Sequence, residues 1–184
     1  MGTYLVTGII HRVQVSRRDA EYQKLSIELI EQALRREFSL ENTIFSEDDK
    51  TFAWHIKPSM LEGNFAEFLQ AQYEMYDYTK TNKVQPLIDK IKEAQNGEEI
   101  IALAKSGFSS NFQMVEHLSQ CIQVERPDGF AYSLAVYYRL MAFFIDGKII
   151  MECYDNILHY FEKNIRLQMA TYPVVNCLKV LITE

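Results

Sequence analysis

The sequence predicts a single α+β domain over residues 1–184, with a mixed or antiparallel sheet of five or six strands, flanking helices and a three-helix insert at residues 83–124. Three observations favour this fold class. Two apolar runs meet at an Asp-Gly pair within residues 130–154, strand-like patterns occur near both ends of the chain, and the segments between them place apolar residues at helical spacing. A chain of 184 residues can bury a substantial core without disulfide bonds.

Residues 130–154 contain the strongest hairpin signal in the chain. The two apolar runs meet at Asp146-Gly147, and a type I′ turn favours this pair because both of its central residues have positive φ. Only Arg139 interrupts the first run, so we expect the hairpin to lie in the interior of the sheet. The predicted core takes three residues from this hairpin and one from the last strand: Leu140, Phe144, Ile150 and Val180.

The first part of the chain alternates between strand and helix patterns. Residues 4–15 alternate as a strand does, and a helix over residues 16–37 begins with a capping serine and carries Tyr22 on its apolar stripe. Residues 42–57 are two short strands around an acidic turn. A proline then begins a helix over residues 58–76. The resulting order is strand, helix, hairpin, helix.

The middle of the chain is predicted to be helical. Apolar stripes over residues 83–96, 100–107 and 109–122 indicate the three helices of the insert. After the central hairpin, the pattern predicts a helix over residues 155–169 and a closing strand over residues 174–182. The insert therefore lies between two parts of the chain that form the sheet.

Two segments share the order hairpin and then helix. Residues 42–76 and residues 136–169 both have it, with an acidic turn and a lysine that starts the second strand. Their residue identity is too low to establish a repeat. Two interpretations stay open: a duplicated half-domain, or two independent uses of a common structural unit.

Acidic residues are concentrated in the middle third of the chain. The net charge is −6, and residues 41–100 hold 12 Asp and Glu against 6 Lys and Arg. A domain with this charge repels phosphate backbones. We therefore expect no nucleic-acid partner.

The cysteine content and the apolar pattern predict a cytoplasmic protein. The 3 cysteines are widely separated and odd in number, which is not typical of a disulfide framework. No positive region precedes the first apolar run, so the pattern does not fit a signal peptide. Arg139 and Asp146 interrupt the longest apolar stretch, so we expect neither a membrane span nor a membrane partner.

Motifs of common enzyme classes do not occur in the sequence. There is no Gly-x-Gly-x-x-Gly or phosphate-binding loop, no Gly-x-Ser-x-Gly and no His-Glu-x-x-His. His117 and Cys121 stand four positions apart on a predicted helix, a spacing that can present two ligands to zinc. Because no second pair supports them, we favour a half-buried histidine beside a packed cysteine. We predict no catalytic residue, cofactor or metal.

An acidic surface that bears tyrosines carries the main functional hypothesis. Glu47, Asp48 and Asp49 form the densest acidic cluster, while Tyr76 and Tyr78 lie where a helix ends in a polar connector. Tyrosine is enriched at interface cores, although these rings could instead pack under the insert. We predict a non-catalytic intracellular binding protein that docks a basic protein partner through these five residues. A toxin-neutralising immunity protein is one example of this class.

The alternative hypothesis is a small-molecule enzyme or a ligand-binding domain. Its pocket would open between the sheet and the helical insert, near His11, His55 or Glu152. Cys153 would then be the residue to test as a nucleophile beside a histidine. An enclosed cavity with converging polar groups would favour this alternative, and a convex acidic face would favour protein binding. The sequence does not predict an oligomeric state.

Overall fold

The predicted α+β fold class is confirmed. A computed structural model describes residues 4–76, 81–109, 112–146 and 162–183. The strands are β1 (Tyr4–Ser16), β2 (Thr43–Glu47), β3 (Thr51–Ile56), β4 (Gln113–Glu125), β5 (Ala131–Asp146) and β6 (Leu178–Thr183). The helices are α1 (Arg17–Tyr22), α2 (Ile27–Leu34), α3 (Phe65–Tyr76), α4 (Thr81–Glu93), α5 (Gly97–Ser106) and α6 (residues 162–168). None of the helices described is long and apolar enough to cross a membrane.

The six strands form one sheet in the order β2-β3-β1-β5-β4, and β6 also pairs with β1. The first half of β1 pairs with β6, and its second half pairs with β3. Both pairings are antiparallel, as is the pairing of β2 with β3. Among the described strands, β2 and β4 are therefore the ends of this order.

The chain divides into two compact units. Unit 1 comprises Met1–Ile9, Pro58–Val115 and Met141–Glu184, and unit 2 comprises Ile10–Lys57 and Glu116–Leu140. The expectation of a single domain over the whole chain stays a prediction.

Unit 1 has a core that is rich in aromatic residues. Phe68 lies at its centre, with ring centroids 6.2 Å from Phe65, 5.6 Å from Phe143 and 5.7 Å from Tyr172. Gly8 on β1 passes very close to β5, since a Cβ atom at this position would lie 2.6 Å from the carbonyl oxygen of Met141. Any larger residue would therefore push β1 away from β5.

Unit 2 has two chemically different sheet faces. The register pairs Val13 with Trp54 and Val15 with Phe52, and these four buried side chains form what we call the covered face. Helices α1 and α2 pack on it: Arg17 lies over the ring of Phe52 and Glu31 accepts a hydrogen bond from Trp54. The other side, the polar face, carries the half-buried or exposed residues Arg12, Gln14, His55, Tyr137 and Arg139.

The single helix predicted over residues 16–37 is wrong. Ser16 does cap a helix, because its hydroxyl accepts a hydrogen bond from the N–H of Asp19. The chain then turns at Lys24, whose φ is 55°, and Ser26 caps the second helix. Tyr22 consequently lies off the buried stripe and is 87% exposed. Ser26 lies within the single predicted helix, and because serine favours helix N-caps, this residue was the sequence signal for a second helix.

The third helix of the predicted insert is also wrong, since its residues form strand β4 instead. Leu118, Ile122 and Val124 are buried while Ser119, Cys121 and Gln123 are exposed, which is the alternation of a strand. The Pro-Asp-Gly sequence after β4 is a hairpin turn to β5, in which the N–H of Arg126 donates to the carbonyl of Phe130 at 2.9 Å. Helices α4 and α5 are the two predicted helices of the insert that the structure contains.

The helix predicted to start at Pro58 begins later. Pro58–Leu61 is a short 3₁₀ segment, and α3 starts only at Phe65. Gly63 between them has φ of 81°, in the left-handed region that favours glycine. The closing strand likewise starts at Leu178, after a 3₁₀ segment at Pro173–Cys177.

The core predicted around the central hairpin is partly confirmed. Leu140 is 0% exposed and Val180 is 1% exposed. The prediction that Phe144 is buried is wrong. This residue lies near the end of β5 and is half-buried, and its neighbour Ile145 is 40% exposed. Ile150 and the second arm of that hairpin lie outside the described residues, as do residues 147–161 of the second segment compared for duplication.

Candidate protein-binding site

The predicted acidic residues Glu47, Asp48 and Asp49 are exposed at the tip of the β2–β3 hairpin. Asp48 itself shapes the turn. One of its carboxylate oxygens, Oδ1, accepts from the N–H of Lys50 at 2.8 Å and from the N–H of Thr51 at 2.7 Å. These bonds, that of Lys50 first, hold the pKa of Asp48 below its ordinary value. Asp48 is therefore a residue of the turn as well as an exposed charge.

The other two acidic residues of the tip are differently placed. Glu47 Oε2 lies 3.7 Å from Arg17 Nη1, and both side chains are substantially exposed. Exposed ion pairs of this kind contribute at most about 1 kcal/mol. Asp49 has no hydrogen bond or ion pair in the described part of the chain. Glu47 and Asp49 can therefore accept a cation from another molecule at little cost.

Strand β2 is an edge of the sheet formed by the described strands. At its start the N–H of Lys57 donates to the carbonyl of Asn42, and at its end the N–H of Asp48 donates to the carbonyl of Thr51. Hydrogen-bonded positions alternate along an antiparallel pair, so residues 44 and 46 also bond to β3. The N–H and C=O groups of residues 43, 45 and 47 must then face away from β3, and among them the N–H of Thr43 donates to the carbonyl of Leu40.

Large apolar side chains are exposed on both sides of this edge. Ile44 is 54% exposed and stands opposite His55, on the polar face. Phe45 is 39% exposed and stands opposite Trp54 on the covered face, with ring centroids 5.4 Å apart. Exposed apolar residues next to unpaired backbone groups are typical of an edge that accepts a further strand.

The described residues include the side chain of Tyr73 but not those of Tyr76 and Tyr78, the tyrosines of the predicted surface. Tyr73 is buried in α3 within unit 1, and burial raises the pKa of its hydroxyl above the ordinary value. Tyr76 is the last residue of α3, but its side chain is outside the described part, and Tyr78 lies wholly outside it. Their role at an interface stays a prediction.

The residues of the ligand-binding alternative are partly brought together. The rings of His11 and His55 are 6.5 Å apart and perpendicular, and His55 Nε2 lies 3.0 Å from the hydroxyl of Ser46. Glu152 and Cys153 lie outside the described residues. The pocket predicted between the sheet and the insert therefore stays a prediction.

His117 and Cys121 cannot share a metal ion. Both are exposed on strand β4, where four positions span about 13 Å rather than one helical turn. In the described ranges no three His, Cys, Asp or Glu side chains converge as metal ligands. The expectation that Cys121 is packed is wrong for the same reason, whereas Cys177 is buried.

Sequence patterns did not indicate the apolar part of this site. The exposure of Ile44 and Phe45 depends on β2 being an edge strand, which follows from the order of the strands. The available signal was the short length of the strand beside an acidic turn, which is a common feature of edges.

No protein-family model, curated protein or solved structure matches this chain.

Proposed function

We propose that this chain is a non-catalytic, cytoplasmic binding protein that docks a basic protein partner by adding a strand of that partner to the free edge of β2. The observation that carries the proposal is the combination at one edge of outward backbone groups, exposed Ile44 and Phe45, and the acidic tip. An immunity protein that blocks a basic toxin is one example of this type.

Each part of the edge contributes a different property. Main-chain hydrogen bonds from the N–H and C=O groups of residues 45 and 47, and from the C=O of residue 43, supply sequence-independent affinity for an extended segment. The N–H of Thr43 already donates to the carbonyl of Leu40. Ile44 and Phe45 lie on opposite faces, so the partner strand should carry apolar side chains on both faces. Since each is already partly covered, burying the rest of each side chain contributes about 1 kcal/mol.

The acidic tip selects the charge of the partner. A lysine or arginine opposite Glu47, or just beyond the strand at Asp49, would be attracted at close range. Because these carboxylates are exposed, they mainly raise the association rate, and this effect falls as salt screens it. Tyr76 and Tyr78 are further proposed contact residues, supported by their sequence position alone.

The proposal is tested by selecting peptides from a random-sequence display library on the immobilised full chain. We expect the selected peptides to be strand-forming and to contain Lys or Arg. Phe45→Pro should abolish their binding, because it removes an outward N–H without removing a bond to β3. The matched variant Phe45→Val keeps that N–H and should retain most of the binding.

Two results would overturn the proposal. Peptides that bind Phe45→Pro as well as the wild type would show that β2 is not the docking edge. Selected peptides without basic residues, or binding unchanged when Glu47 and Asp49 are replaced by Lys, would remove the acidic tip from recognition. Circular dichroism of Phe45→Pro, matched to the wild type, establishes that the variant is folded.

A further inference from the structure

A small polar cleft opens on the polar face of unit 2. It has a volume of about 80 Å³ and is lined by residues of three strands, among them Arg12 and Gln14 of β1, Glu116 and His117 of β4, and Tyr137 and Arg139 of β5. This volume suits several water molecules or one small polar group. All of these residues belong to unit 2.

The two arginines of the cleft differ in their ion pairs and hydrogen bonds. Arg139 Nη2 is 2.9 Å from Glu116 Oε1, so its charge is paired. Arg12 has no carboxylate within 4.0 Å in the described ranges, and its Nη2 makes only a 3.5 Å hydrogen bond to the hydroxyl of Thr51. Its Nε atom is buried without a hydrogen-bond partner there. A guanidinium in this state has donors left for an external acceptor.

The backbone beside the cleft is also unusual. His117 has φ of 64°, in the left-handed region that non-glycine residues rarely adopt. Residues held in such conformations concentrate at binding and active sites. This observation is independent of Arg12 and concerns the opposite wall of the same cleft.

We propose that this cleft binds a carboxylate, with Arg12 as its main contact. The guanidinium fork matches a carboxylate in two parallel hydrogen bonds, and one of them would satisfy Nε once the half-buried side chain turns this atom toward the cleft. Arg12, Arg139 and Glu116 together carry a net charge of about +1, so one carboxylate would balance it, whereas a dianionic phosphate would leave a negative charge uncompensated beside Glu116. The exposed carboxylate of Asp48, which also interacts with Arg12, disfavours a dianion further. The exposed ring of Tyr137, 41% exposed, provides a flat surface beside the carboxylate site.

The carboxylate could come from a free small molecule or from the C-terminus of a peptide. Benzoate and a short peptide that ends in phenylalanine represent the two sources, and benzamide and the peptide amide are their neutral controls. Inorganic phosphate tests the preference for a monoanion. The readout is the ¹⁵N–¹H resonance of Arg12 Nε in the full-length protein, which reports a new hydrogen bond directly.

We expect benzoate or the free peptide to move this resonance with a Kd on the order of 1 mM, as befits a small ligand. The preferred source is the one that binds more tightly, and the neutral controls should have no effect. Arg12→Lys keeps the charge but loses the fork and Nε, so affinity should fall about tenfold or more. Arg18→Lys, on the exposed side of α1, is the matched control and should bind as the wild type does.

Three results would overturn the inference. The Nε resonance of the wild type could stay unmoved by both carboxylates. Arg12→Lys could bind them as tightly as the wild type, as judged by the backbone resonances of the cleft. Phosphate could bind more tightly than either carboxylate, which would contradict the preference for a monoanion. None of these results depends on the edge of β2.

Discussion

The two faces of the unit 2 sheet show how neighbouring residues on the same strands can have opposite roles. Trp54 is 1% exposed and packs with Val13 under α2, while the next residue, His55, is half-buried on the polar face opposite Arg12. One face is built for stability, because its side chains are apolar and its polar atoms are paired. The other face is built from polar groups, among them Arg12, whose Nε has no hydrogen-bond partner in the described ranges. A single strand thus serves both the core and a candidate binding surface.

The largest expected difference between the faces concerns Trp54 and His55. Trp54→Ala should lower the free energy of unfolding by about 3–5 kcal/mol, because it leaves a cavity in the covered face. His55→Ala, on the adjacent residue, should cost less than about 1 kcal/mol. Urea denaturation of the two variants measures both values. Equal losses would contradict the division into a covered and a polar face.

A smaller effect is expected from Glu31 on α2. Glu31 Oε1 accepts a 3.0 Å hydrogen bond from Trp54 Nε1, so Glu31→Ala leaves that buried N–H without its partner. A loss of about 1–3 kcal/mol is expected. The control is Glu21→Ala, which removes an exposed ion pair with Arg17 and should cost under about 0.5 kcal/mol. Urea denaturation measures both values. If Glu31→Ala lowers the free energy of unfolding no more than the control does, this hydrogen bond does not stabilise the covered face.

The smallest effect concerns the pH dependence of stability at the hairpin tip. The pKa of Asp48 is lowered in the folded state by the N–H groups of Lys50 and Thr51. The unfolded chain therefore binds more protons between the two pKa values, and stability rises with pH across that window. The contribution is complete above the unfolded pKa of about 3.9 and is lost as the pH falls through the folded pKa.

Asp48→Asn should flatten the acid limb, which is the loss of stability as the pH falls, while leaving the covered face intact. Thermal melts at a series of acidic pH values measure the limb, and Asp49→Asn is the matched control because Asp49 makes no bond within the described turn. If the two variants have the same acid limb, the turn geometry assigned to Asp48 is wrong.

Much of the fold could be predicted because burial imposes a period on the sequence. Strand β1 and the β2–β3 hairpin follow from alternation and an acidic turn, and α5 follows from its stripe and the glycine at its end. Strand β4 was wrongly predicted as a helix because its residues Leu118 and Ile122 are four positions apart, a spacing that fits a helix as well as a strand. Only the pairing of β4 with β5 decides between the two.

The candidate site was less predictable than the fold. The acidic tip is visible in the sequence, but the use of the Asp48 carboxylate by the turn depends on geometry. The exposure of Phe45 depends on which strand lies at the edge. The unsatisfied Nε of Arg12 depends on what three strands place around it. Strand order and register determine all of these, and both are long-range properties that local patterns do not encode.

The central claim is that β2 presents a free edge that a partner strand occupies. Amide hydrogen exchange along β2 tests it most directly, with and without a selected basic peptide. In the free protein, the amides of Ile44 and Ser46 should exchange slowly, and those of Phe45 and Glu47 should exchange fast. The bound peptide should slow Phe45 and Glu47 specifically. Uniform protection along β2 in the free protein, or no change at Phe45 and Glu47 on binding, would contradict the claim.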